Sequence, residues 1–168
     1  MPYTIDVDID ENVIPFLEKE VAPECEWAVK PDIMGGYVND LVGFILGEEE
    51  VDSDRNVEAS VSFVSKDKIH ELNSKFRNID SPTDVLSFPC DNPAETEDEL
   101  VELGDIIISP EIANKQAAEY GNTYIEEISL LITHGVLHLL GYDHVEDDEA
   151  EKMEAREREL REAWERIK

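Results

Sequence analysis

The stretch TYIEEISLLITHGVLHLLG, Thr123 to Gly141, decides the fold of this 168-residue chain. Wound at 3.6 residues per turn, it carries apolar side chains around much of its circumference, which predicts a long, central, buried helix. Such a helix must be covered on several sides, and the flanking sequence supplies the cover. Pro110, after Ser109, suits the first turn of a preceding helix. After Gly141, EDDEAEKMEARERELREAWERIK (Glu146 to Lys168) predicts a surface helix. Acids open it, where they suit the positive end of the helix dipole, and Glu154/Arg158, Glu157/Arg161 and Glu162/Arg166 stand at pairing distance along it. Its apolar seam runs Met153, Leu160, Trp164, Ile167.

Upstream the period changes. YTIDVDI (Tyr3 to Ile9) alternates as a strand does, and VEASVSFVS (Val57 to Ser65) puts Val57, Ala59, Val61 and Phe63 on one face. Between them ENVIPFLEKEV and GGYVNDLVGFILGEEE have helical spacing. A short helix from Lys66 to about Phe76 follows. DVLSF, bracketed by Pro82 and Pro89, suits an edge strand, and DIIIS (Asp105 to Ser109) is a fourth. DNPAETEDELVE, Asp91 to Glu102, reads as a solvated acidic loop. The expected fold is α+β: a small mixed four-stranded sheet packed against several helices, in one domain over residues 1–168.

Composition narrows the function classes. With 41% hydrophobic residues the chain can bury a core. No apolar run is long enough to span a bilayer and the start lacks a signal peptide, so a cytoplasmic protein without a membrane partner is expected. Cys25 and Cys90 form no CxxC pair and read as free thiols. The 42 acidic against 14 basic residues give a formal net charge of −28, which repels polyanions at long range and, taken alone, argues against nucleic acid; no DNA partner is expected. Lys66, Lys68, Lys75 and Arg77, however, face only Asp67 and Glu71 within their window, so a local basic face can persist.

Three of the four histidines lie within eleven residues. His134 and His138, four apart on a helix, project from one face and can share a metal ion. Gly141 can adopt a left-handed conformation that ends the helix and lets His144 return from another direction. Three histidines on one zinc ion leave a position for water, the arrangement of a catalytic site. The spacing coincides with the metzincin peptidase pattern H-E-x-x-H-x-x-G-x-x-H, so a metal-dependent hydrolase of peptides or small substrates is an alternative. The glutamate that acts there as general base is replaced here by Gly135. His70, on the basic helix, reads as a surface residue.

HGVLHLLGYDHVEDDEAEKME (His134 to Glu154), LNSKFRNIDSPTDVLSFP (Leu72 to Pro89) and GDIIIS (Gly104 to Ser109) closely resemble three blocks of the YbeY family of bacterial ribosomal-RNA maturation endoribonucleases. The resemblance covers roughly Val57 to Glu159. It implies a zinc-dependent hydrolase of single-stranded ribosomal RNA that works with the ribosome or ribosomal proteins, holds one zinc ion per chain on His134, His138 and His144, and uses Arg77. A guanidinium fork suits a phosphodiester; an ion pair of Arg77 with Asp80 or Asp84 is the competing reading. Asp143 is either an acceptor that orients an imidazole or a turn residue. Asp84 and Asp105 either orient site residues or cap strand ends, and Thr83 and Ser87 either line a groove or are plain strand surface. A thiolate from Cys90 as fourth ligand would make the metal structural, which leaves a ribosome-associated metal-binding protein as the third reading.

Overall fold

The computed structural model describes residues 3–51, 54–143 and 145–167. Its strands are β1 (Tyr3–Ile9), β2 (Asn56–Phe63), β3 (Val85–Pro89) and β4 (Leu100–Ile108). Its helices are α1 (Ile14–Phe16), α2 (Pro31–Glu48), α3 (Lys66–Arg77), α4 (Pro110–Tyr120), α5 (Tyr124–Leu139) and α6 (Asp147–Ile167). The sheet order is β1-β2-β4-β3. The first three of these run parallel and β3 lies antiparallel to β4 on the edge. This is the mixed four-stranded α+β arrangement expected.

The alternation in β2 does what its period requires: Val57, Ala59, Val61 and Phe63 are all buried. Beside it, β4 begins earlier than the DIIIS motif suggests. Leu100, Val101 and Glu102 pair with Asn56, Val57 and Glu58, so the end of the acidic stretch is strand rather than loop. The burial of Val101 and Leu103 supplies the reason, since both are fully inside. A bulge follows, giving β4 one more residue than β2 between the Glu58 and Ala59 pairings. There Gly104 has φ +133°, and the space a Cβ would fill is taken by the carbonyl oxygen of Phe88, with Leu139 Cδ2 only 3.0 Å away. Only glycine fits.

Helix α5 is as central as its composition demands. Thr123 and Glu126 form a reciprocal capping box at its start. From Leu131 to Leu139 every residue is buried except His134 and His138. Gly135 lies against the sheet, where a Cβ would approach three side-chain atoms of Ile106 at 3.0–3.1 Å. Each fully buried Ile or Leu along this helix contributes about 1.5–3 kcal/mol through removal from water. One hydrophobic core runs from Ile5 in β1 to Trp164 in α6.

Three further expectations are corrected. Glu11 to Val21 is not one α-helix: a 3-10 turn, the single turn α1 and a π-helical turn follow one another, with Pro15 in the middle unable to donate a backbone hydrogen bond. Ile167 leaves the α6 seam and is 62% exposed, while Met153, Leu160 and Trp164 are buried. The Glu154/Arg158, Glu157/Arg161 and Glu162/Arg166 pairs are not among the ion pairs of the described residues; Arg156 instead binds Glu159 at 2.9 Å and reaches Glu49 beyond α2. Exposed charges on a helix lose little by remaining in water.

Candidate metal centre and substrate cleft

The end of α5 is shaped by a Schellman motif. Tyr142 N–H donates to Leu137 O and Gly141 N–H to His138 O, each at 3.0 Å, with Gly141 at φ +100°. The chain therefore leaves the helix sharply after His138, as the glycine predicted. Tyr142 is held beyond the turn by a hydrogen bond from its hydroxyl to Glu49 Oε2 at 2.8 Å, and Glu49 also binds Arg156. Burial, followed by the Glu49 carboxylate, pushes the Tyr142 phenol up, so it stays protonated and keeps donating. His144, the third predicted ligand, lies outside the described residues.

His134 and His138 come together at one wall of a cleft of about 520 Å³. Their rings are 4.5 Å apart between centroids and the two Nε2 atoms are 3.0 Å apart. On the far side of the His134 ring, Nδ1 meets the carboxylate of Glu157 on α6. An ionised carboxylate only accepts, so Nδ1 carries the proton and Nε2 presents a lone pair toward His138. Two imidazole lone pairs so close need a proton or a cation between them, and 3.0 Å is within the span of one ion with nitrogen bonds of about 2.0–2.1 Å. The donor set thus suits a borderline divalent ion, with Glu157 as the carboxylate that orients the imidazole.

Sequence reasoning assigned Glu157 to a pair with Arg161 and missed this contact. A signal was present: with Met153, Leu160 and Trp164 as the buried seam, position 157 falls on the same stripe, so it is a charged residue in a core-facing slot.

Arg77 lines the same cleft from the end of α3. Its Nη2 donates to Ser87 O at 2.8 Å and its guanidinium lies over the Phe88 ring at 4.8 Å. Neither Asp80 nor Asp84 pairs with it among the described residues, because both carboxylates are engaged elsewhere. Asp80 accepts from His70 at 2.8 Å, on the surface as expected for that histidine. Asp84 lines the cleft but accepts from its neighbours, Val85 N–H at 2.8 Å and Thr83 Oγ1 at 3.2 Å. Asp105 accepts from Ser60 Oγ at 2.5 Å, across the sheet. Ser87 and Asp143 line the cleft, and Asp143 Oδ1 accepts from Val145 N–H at 3.2 Å. Cys90 is exposed beside Asp91, and among the described residues no set of three His, Cys, Asp or Glu side chains converges on one point, so the thiol does not join the histidine pair. Gly135 faces Ile106 rather than the cleft, so that position is turned away from any substrate. No helix of the described residues is long and apolar enough to cross a membrane.

Comparison with known proteins identifies the family of this chain. A family model described as Endoribonuclease YbeY matches residues 27–165, reaching well upstream of the blocks read in the sequence. An Endoribonuclease YbeY of Bacillus subtilis (strain 168) is 41% identical over 133 residues, covering 76% of this chain and 83% of the relative. Another, from Exiguobacterium sibiricum, is 42% identical over 130 residues, covering 73% and 81%. The solution structure of TM1509 from Thermotoga maritima matches with a TM-score of 0.58 at 29% identity, over 95% of this chain and 87% of that one. The histidine pair, the Arg77 wall and the strand that joins them therefore stand in a chain that belongs to the YbeY family of endoribonucleases.

Proposed function

We propose that this protein hydrolyses single-stranded ribosomal RNA during ribosomal-RNA maturation, in the cytoplasm and in contact with the ribosome, using one zinc ion per chain held by His134, His138 and His144. The observation that carries the reading is the pair of Nε2 atoms 3.0 Å apart on one wall of a cleft that Arg77 also lines. When bound, the ion would supply Lewis-acid chemistry to water and to a phosphoryl oxygen. Glu157 holds the His134 Nδ1 proton and so leaves the ring's lone pair on Nε2, the atom that would ligate the ion. Arg77 offers a planar donor fork to the phosphodiester, and its contact with Ser87 O sets the direction of that fork. Charge developing on the non-bridging oxygens meets a donor already in place. Single-strand preference fits a cleft walled on one side by the short edge strand β3, which leaves a flexible strand room to enter.

Metal-loaded wild type and His138→Ala at equal concentration on labelled single-stranded ribosomal RNA provide the test, with duplex RNA and an unstructured protein as controls. Cleavage of the single strand by wild type alone is expected. RNA left intact by a wild type that binds zinc would overturn the hydrolase reading and favour a ribosome-bound protein with a structural metal.

A further inference from the structure

The rim of the cleft carries a feature that the proposed hydrolysis does not use. Of the five phenylalanines only Phe76, near the end of α3, is exposed, with 52% of its surface open. Its ring meets that of Phe88 edge to face, with centroids 5.5 Å apart and planes at 73°. Phe88 lies in β3 between Ser87 and Pro89, both of which line the cleft, and beneath the Arg77 guanidinium. The Lys75 ammonium is 5.2 Å from the Phe76 ring centre. An aromatic ledge flanked by cations thus leads from the protein surface to the histidine wall.

The segment that carries this ledge is less acidic than the chain as a whole. Residues 66–90 hold four basic and four acidic side chains, so they are neutral overall in a chain of net charge −28. A polyanion therefore meets less repulsion at this segment than the charge of the whole chain implies.

We infer that Phe76 is a stacking platform for an unpaired nucleobase of the RNA strand in the cleft, with Lys75 and Arg77 set against the phosphates beside that base. The inference rests on the RNA-hydrolase reading and adds a subsite to it. An aromatic face alternating with cations matches the alternation of base and phosphate along a single strand, and stacking on it tolerates any base. A protein interface would instead tend to exclude lysine from beside its aromatic anchor.

Binding is measured in a His138→Ala background, which leaves the RNA uncut, with a single-stranded oligonucleotide carrying 2-aminopurine at successive positions. Quenching at one position is expected. Phe76→Leu, which keeps apolar bulk and removes the π face, abolishes that quenching and weakens binding about tenfold, whereas Phe76→Trp preserves both. An abasic nucleotide at the quenched position costs the unaltered protein the same factor and costs Phe76→Leu nothing further. Equal affinity and quenching in Phe76→Leu overturn the stacking subsite while leaving the hydrolase reading intact; loss of ribosome co-sedimentation in that variant then assigns Phe76, with exposed Ile79, to a protein contact. A wild type that binds and cleaves no single-stranded RNA removes both.

Discussion

Helix α5 reaches the cleft with every residue from Leu131 to Leu139 buried except His134 and His138, whereas α3 reaches it with Lys75, Phe76, Arg77 and Asn78 all exposed. Both helices stop at a residue with positive φ, Gly141 at 100° and Asn78 at 58°. Under the proposed function, the difference follows from what each end would hold. Ligands for an ion have to be kept in place by packing before the ion arrives, and here the sheet, α6 and the Glu157 carboxylate supply that. A flexible polyanion needs surface and reach, and long side chains at an open helix end provide both. One wall is preorganised and the other is accessible.

The preorganised wall is the more vulnerable of the two. Glu157→Ala removes the acceptor for His134 Nδ1 and is expected to lower zinc affinity about 10–100-fold, read by competition with a chromophoric chelator. Unchanged affinity would mean that the carboxylate is not orienting a ligand. On the open side, Arg77→Lys is expected to reduce RNA turnover on the order of tenfold while zinc affinity stays the same, because a point charge replaces a bidentate fork. If melting temperature falls and turnover does not, Arg77 serves only to cap the Ser87 carbonyl of the edge strand.

Changing Lys66, Lys68 and Lys75 together to Ser should flatten the salt dependence of RNA affinity, by about 0.7 in log–log slope for each phosphate that is no longer neutralised. An unaltered slope places RNA on another surface. Thr123→Ala, at the far end of α5, is expected to cost about 1 kcal/mol through loss of the cap, or about 2–4 °C in Tm for a chain of this size, with zinc affinity unaffected. A parallel loss of zinc affinity would show that the histidine pair depends on the whole helix rather than on its packed end.

The smallest effect concerns Glu127, buried near the start of α5. Burial pushes its carboxyl above the ordinary 4.5, with partial relief from the Asn122 amide. A raised folded-state value means that the stabilising protonated form is complete below pH 4.5 and is lost as pH rises through the folded value. Glu127→Gln should therefore raise Tm at pH 8 and leave it unchanged at pH 4. A lower Tm at pH 8 would show that the carboxylate is better satisfied than its surroundings suggest.

What was legible in the sequence was local. The i, i+4 histidines, the glycine that ends their helix, the edge strand between prolines and the alternation of β2 each depend on residues within a few positions of one another, and each took the expected form. The contacts that bring the site together are distant: Glu157 is 23 residues from His134, and Glu49 is 93 from Tyr142. Acidic residues are so abundant in α6 that only the stripe through Met153, Leu160 and Trp164 distinguishes Glu157 from its neighbours. The early start of β4 was hidden for a similar reason, since the glutamates around Val101 mask an alternation that parallel pairing with β2 makes real.

The bulge glycine of β4 has a spectroscopic consequence. Around Gly104 the carbonyl of Phe88, from the open wall, and the side chain of Leu139, from the packed wall, crowd the same small volume. A single isotope label at that residue is therefore a reporter on both walls: displacement of the aromatic ledge and tightening of the histidine helix would each shift one amide resonance, along different directions in a two-dimensional spectrum. Titrating zinc and RNA in turn would then separate, in the intact protein, the movement each ligand causes.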